Sequence, residues 1–174
     1  MLRLARTSMW TLAAALLAGA AVSWPALPDV IPTHFGLTGE PDAWGEKSLA
    51  FWFGLPLMAL ALVALMDWTA TTVRRRPESP LVSLPGKPEI LAAPPARRAR
   101  ALAWSATGLY LSGVCVVLAL GIVQAGIRHA AHGGDVAWWM SADVVLAVVG
   151  PLAAVFWTSA KARAVVREGG TSAR

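Results

Sequence analysis

Four long apolar blocks constrain the fold of this chain more than any other feature. They cover residues 9–24, 48–68, 101–127 and 136–160, and the first can be extended back to Leu4. Each is then close to the ~20 residues that a helix needs to cross the hydrocarbon core of a membrane. Only 14% of the residues are charged, against about 25% in a soluble domain. The sequence therefore predicts an all-α integral membrane protein with four transmembrane helices in two hairpins.

The first block has two possible interpretations. Arg3 and Arg6 precede its Leu- and Ala-rich run, and Ala18-Gly19-Ala20 has the form of a signal-peptidase cleavage site. Small-residue sites of this kind also occur by chance in Ala-rich segments. We therefore expect a retained first helix, and a cleaved signal peptide is the alternative.

The distribution of basic residues predicts the orientation. Of the 15 Lys and Arg residues, 13 lie before the first block, in segment 74–100 or in the tail, and only Lys47 and Arg128 lie at the opposite ends of the blocks. The positive-inside rule then places both termini in the cytoplasm and the loop 25–47 outside. The tryptophans agree with two interfacial belts, an outer one with Trp24, Trp138 and Trp139 and an inner one with Trp10, Trp68, Trp104 and Trp157.

These features divide the chain into four parts. Residues 1–73 form the first helix, the outer loop 25–47 and the second helix, and residues 101–160 form the second hairpin. Segment 74–100 is a basic cytoplasmic linker with six prolines, which we expect to be extended and semi-rigid. The basic tail, 161–174, is expected to fray. Because the basic residues flank apolar blocks, we expect them to contact membrane lipid and expect no binding to nucleic acid.

The outer loop has the composition of an ordered segment. Structural roles are expected for prolines that fix the backbone and glycines that permit turns, namely Pro28, Pro32, Gly39, Pro41 and Gly45. Its ionisable residues could bind a divalent cation through His34, Asp29, Glu40, Asp42 and Glu46. Their spacing matches no metal motif, so we favour a structural cap over the helix ends and predict no cofactor.

Three polar residues lie within or beside the later blocks. An ionisable group at membrane depth suggests a function, so Asp143, in the outer half of block four, is a candidate for a buried pair. Its possible partners on the same side are Arg128, His129, His132 and Lys47. A position shallow enough to reach headgroup water is the alternative. Gln124 is expected to form a hydrogen bond between helices. Interfacial solvation is sufficient to explain Asp67.

The outer loop resembles a known family. Residues 27–35 read LPxxIPxHF and residues 39–47 read GxPDxWGxK. This ordered set of identities is similar to the signature of a bacterial membrane domain of unknown function, which also forms the N-terminal part of SdpI-type proteins for toxin immunity and signalling. The resemblance implies a multi-pass protein of the bacterial cytoplasmic membrane. It does not extend to residues 101–174.

The chain contains no HExxH, GxSxG or Walker A motif, so we expect a non-enzymatic protein. The first hypothesis is a sensing, immunity-like or interaction module that binds a peptide or protein on the extracytoplasmic side. Its binding residues would be His34, Asp42, Trp44 and Lys47. The second hypothesis is a small transporter or transporter accessory subunit with Asp143 in the path. A metal-dependent membrane enzyme using His34 is the third.

Overall fold

The computed structural model describes residues 1–36 and 38–167, with the backbone alone for residues 137 and 139–141. Among the described residues, the elements follow one another in this order: α1 (Leu2–Ser23), a 3₁₀ turn (Trp24–Ala26), β1 (Val30–Phe35), β2 (Pro41–Glu46), α2 (Leu49–Arg75), α3 (Lys87–Ala92), α4 (Pro95–Ala131) and α5 (Ala137–Arg167). The chain is mostly helical, as predicted. We call the end of the helices that carries β1 and β2 the hairpin end, and the other the linker end.

Four helical segments of the described chain are long and apolar enough to cross a membrane. They are Leu2–Ala26, Leu49–Arg75, Pro95–Ala131 and Ala142–Arg167, with mean hydropathies between 1.4 and 2.3. Large apolar side chains of α5, such as Leu152 and Phe156, are exposed on the protein surface. Such a surface is stable against lipid and costly against water. The prediction of four membrane helices is confirmed at this level.

Helix α4 is the centre of the bundle, since α1, α2 and α5 all pack against it. Its glycines make these contacts close. A Cβ on Gly113 would collide with the Met9 side chain of α1, and a Cβ on Gly108 would collide with Thr158 of α5. Small residues at such positions let helix backbones approach one another, which is the main way in which helices associate in a membrane.

The predicted extended linker is wrong, because segment 74–100 is folded. Helix α2 continues to Arg75, α3 forms from Lys87, and α4 already begins at Pro95. Two linker residues, Val82 and Ile90, are buried in a cluster with residues of α2, α4 and α5. The prolines do not prevent this because Pro88 and Pro95 lie in the first turns of their helices, where a missing N–H breaks no hydrogen bond.

The tail also departs from expectation. Helix α5 does not end at Ala160 but continues to Arg167, and Ala162 and Val165 are buried against the linker end of the bundle. Packing of this apolar face stabilises a turn that would fray in isolation. Residues 168–174 of the predicted tail lie outside the described residues, as does the side chain of Trp139.

Between α1 and α2, where the sequence predicted an ordered loop in an all-α fold, the chain forms a two-stranded antiparallel hairpin. Ile31 lies opposite Gly45 and Pro32 opposite Trp44, with an irregularity around His34. Both strands are edge strands, which tolerate the prolines that a central strand excludes. The turn uses Gly39 at φ +86°, a backbone conformation that side-chain-bearing residues rarely adopt.

Candidate functional site

The hairpin is attached to the helix ends by a small apolar cluster. Leu27 and Ile31 are buried there against Ala20, Trp52 and Ile127, which come from three different helices. The indole Nε1 of Trp52 donates a hydrogen bond to the Ala20 carbonyl at 2.9 Å. The hairpin is therefore held in one place relative to α1, α2 and α4.

Lys47 closes the base of the hairpin. Its Nζ donates to the Leu27 carbonyl at 2.8 Å, lies 3.6 Å from an Asp29 carboxylate oxygen, and lies 5.5 Å from the centroid of the Trp24 ring. The backbone N–H of Lys47 also donates to the Asp29 carbonyl at 2.8 Å. These contacts give Lys47 a structural role in fastening the strands, whereas the sequence predicted it as a binding residue.

Three of the predicted binding residues form an exposed surface on the hairpin. His34 Nδ1 and Asp42 Oδ1 are 2.5 Å apart, and their side chains remain 69% and 51% exposed. Trp44 is half-exposed on the same strand as Asp42 and two residues away. We call His34, Asp42 and Trp44 the hairpin surface.

The candidate metal ligands are brought together only in part. His34 and Asp42 are in contact, but Asp29 lies at the base beside Lys47. Glu40 precedes β2 and Glu46 ends it, so β2 separates them by its length. Within the described residues, no group of three or more His, Cys, Asp or Glu side chains could hold a metal ion.

Gln124 is buried on α4, with 5% of its surface exposed, and its Nε2 donates to the Trp52 carbonyl of α2 at 3.2 Å. The reason lies in α2 itself. That carbonyl would normally accept from the N–H of residue 56, but residue 56 is a proline and has none. Gln124 replaces the missing donor. Its Oε1 is buried and has no hydrogen-bond partner among the described residues.

A cleft of about 560 Å³ lies between α1 and α4, with Trp52 in its wall and Gln124 among its lining residues. Gly121 and Ala125 of α4 also line it. Patterns of two small residues four apart, such as Gly121 and Ala125, usually allow close helix packing. Here the two residues line the cleft instead. A Cβ on Gly121 would meet only Leu16, at 3.9 Å, and a Cβ on Gly19 would meet nothing within 4 Å.

Asp143 is buried on α5, with 6% of its surface exposed. Its Oδ1 has no hydrogen-bond partner among the described residues. Of the cations considered as partners, Lys47 is bound at the hairpin base and Arg128 lines the cleft. Asp143 is not among the residues that line the cleft.

A polar cluster at the linker end was not predicted from the sequence. Arg6 of α1 forms two hydrogen bonds to the Asp67 carboxylate of α2, at 2.8 and 2.9 Å, and the Tyr110 hydroxyl of α4 donates to the same carboxylate at 2.9 Å. Asp67 is only 17% exposed, so interfacial solvation is not the main explanation for it. The opposite charges of Arg6 and Asp67, both near the linker end, could have predicted their ion pair from the sequence. Nothing in the sequence indicated that Tyr110 would join them.

The comparisons with known proteins concern the first third of the chain. A family model described as Domain of unknown function (DUF1648) matches residues 10–60. The match takes in most of α1, the whole hairpin and the first part of α2. No curated protein and no solved structure matches the chain. The segment that builds the hairpin surface is thus similar to a domain of unknown function.

Proposed function

We propose that this chain is a non-enzymatic interaction module of the bacterial cytoplasmic membrane, with both termini in the cytoplasm and the hairpin outside. In this proposal the hairpin surface binds a peptide or protein partner. The observation that carries it is the contrast within one hairpin between a base buried against three helices and the exposed side chains of His34, Asp42 and Trp44. Exposed aromatic residues on a rigid support are typical of binding surfaces.

Two further observations support this assignment. The excess of Lys and Arg at the linker end favours a cytoplasmic location for that end. Residues 27–47 resemble the signature of a domain of unknown function that also occurs in SdpI-type proteins, and this resemblance motivates a sensing or immunity-like role for the hairpin. The partner's chemistry should complement the hairpin surface, which offers a carboxylate acceptor, an imidazole and an exposed indole ring.

In-cell photo-crosslinking tests the hairpin surface. A benzophenone amino acid at position 44 is expected to capture a discrete partner, because it keeps an aromatic ring at an exposed position of the hairpin surface. Combining it with His34→Ala and Asp42→Ala should lower the yield about fivefold or more, the effect of losing roughly 1 kcal/mol of binding free energy. The products would be separated by electrophoresis and identified by mass spectrometry.

The matched control carries the same crosslinker at Glu46, which is exposed on the same strand but lies at the hairpin base. It should capture the partner poorly. Equal capture from positions 44 and 46, or an undiminished yield in the double variant, would show that the hairpin surface is not the binding site.

Transport is the second candidate function, and the burial of Asp143 with an unpartnered Oδ1 supports it. A buried carboxyl group can carry a proton or coordinate a cation at membrane depth. On this hypothesis, liposomes containing the protein should show ion flux that Asp143→Asn lowers at least about tenfold. Absence of flux in the wild type, or equal flux in wild type and variant, would remove this candidate.

A further inference from the structure

The cleft between α1 and α4 has a polar lining that helix packing leaves unexplained. We propose that it binds an anionic amphiphile with one acyl chain, in which a hydrogen-bond donor lies next to the anionic group. Arg128 would contact the anion, Gln124 Oε1 would accept from the donor, and the chain would lie along the small residues of α1 and α4. This site is separate from the hairpin surface, and the inference does not depend on the proposed function.

The glycines of the cleft are the first observation that supports a binding site there. Gly108, Gly113 and Gly150 are explained by packing, since a Cβ on each would collide with a neighbouring helix. Gly19 of α1 and Gly121 of α4 both line the cleft, where a Cβ on Gly19 would meet nothing within 4 Å and a Cβ on Gly121 would only touch Leu16, at 3.9 Å. Their lack of a side chain therefore keeps a cleft open. Its volume of about 560 Å³ is within the ~300–1,000 Å³ of ordinary ligand sites.

The side-chain amide of Gln124 is the second observation that supports a binding site. Its Nε2 is used by the Trp52 carbonyl, whereas its Oε1 is buried without a partner among the described residues. A buried acceptor without a donor costs free energy. The oxygen has almost no accessible surface in this conformation. A rotation of the Gln124 side chain would let it accept from a hydroxyl or amide N–H of a ligand in the cleft.

The position of Arg128 is the third observation that supports a binding site. It lines the cleft one helical turn beyond Gln124, about 6 Å nearer the hairpin end. Its guanidinium forms no ion pair among the described residues, and it is one of only two basic residues expected on this side. A guanidinium recognises phosphate or carboxylate through two parallel hydrogen bonds.

The order of these groups selects the ligand class. From the hairpin end inward, the cleft presents a cation, then an acceptor, then an apolar groove between two membrane helices. A membrane lipid places its charged head at the interface and its chain in the hydrocarbon. Lysophosphatidic acid has the required plan, with a phosphate, an adjacent hydroxyl and one chain. N-acyl amino acids share it, with a carboxylate and an amide N–H.

Equilibrium binding of radiolabelled lysophosphatidic acid to the purified full chain, at fixed non-ionic detergent, tests the proposal. The wild type should bind about one molecule. Affinity should fall about tenfold for the 2-deoxy analogue, which lacks the hydroxyl, and about tenfold for monoacylglycerol, which lacks the anion. Glycerol 3-phosphate, which lacks the chain, should not compete. An N-acyl glycine should compete, because it retains all three features.

Two variants locate the site. Gly121→Leu fills the groove and should weaken binding at least about tenfold, and Arg128→Gln should weaken binding of the anion about tenfold. Gly54→Leu is the matched control, because Gly54 is an exposed helical glycine outside the cleft whose Cβ would meet nothing within 4 Å. Thermal unfolding of each variant establishes that it is folded. Equal affinity in Gly121→Leu and Gly54→Leu would overturn the proposal, as would equal binding of lysophosphatidic acid and its deoxy analogue.

Discussion

Replacing Asp67 by alanine is expected to lower the free energy of unfolding by about 2–3 kcal/mol, because one carboxylate connects three helices. The substitution leaves the buried Tyr110 hydroxyl without its acceptor, and a lost hydrogen bond to a charged partner costs about 1.5–3 kcal/mol. The contribution of Arg6 is smaller because its side chain is 56% exposed and regains water when the pair is broken. Unfolding in mixed micelles, followed by circular dichroism, measures the change.

Single substitutions of the partners separate the two parts of this cluster. Tyr110→Phe should cost about 1 kcal/mol, and Arg6→Gln should cost less than about 1 kcal/mol. Asp67→Asn keeps an acceptor for the Tyr110 hydroxyl, so it should be milder than Asp67→Ala. A change in stability below about 0.5 kcal/mol for Asp67→Ala would contradict the view that this carboxylate stabilises the bundle.

Gln124→Leu is expected to destabilise the protein by about 1–3 kcal/mol, because it leaves the Trp52 carbonyl buried without a donor. The Trp52 carbonyl depends on the Gln124 amide because Pro56 has no N–H to donate to it within α2. Pro56→Ala restores an N–H at this position. The double variant Pro56→Ala/Gln124→Leu should therefore regain most of the stability lost in Gln124→Leu alone. The same micelle unfolding assay measures all three variants.

The matched control for this rescue is Pro151→Ala, since Pro151 is the proline inside α5 and lies far from Gln124 in the chain. It should not reduce the cost of Gln124→Leu. Additive effects of Pro56→Ala and Gln124→Leu, without a coupling free energy above about 0.5 kcal/mol, would show that the two residues act independently.

The helices were the most predictable part of the fold. A helix that crosses a membrane must be long, continuous and apolar, so hydropathy alone located all four. The helix ends were less predictable. The prolines of the linker suggested an extended segment, yet Pro88 and Pro95 begin helices, and burial of Val82 and Ile90 folds the segment against the bundle. Proline restricts a backbone differently at the first turn of a helix than in its interior.

The candidate site was predictable as a stretch of residues but not as a surface. Spacing and resemblance selected residues 27–47, and the structure separates them into an exposed group and a structural group. His34 and Asp42 are paired and exposed, whereas Lys47 is bound at the hairpin base. Residue type could not make this distinction, because Lys and Asp are suited equally to binding a partner and to fastening a turn.

The sequence by itself determined that this chain has four membrane-length helices and a segment rich in proline and glycine between the first two. Both properties are local and depend on nearby residues. Only the tertiary structure decided which polar groups meet. It paired Asp67 with Arg6 and Tyr110, gave Gln124 the carbonyl freed by Pro56, and left Gly19 and Gly121 facing an open cleft. Such contacts join residues far apart in the chain, and the packing of the helices around α4 sets their geometry.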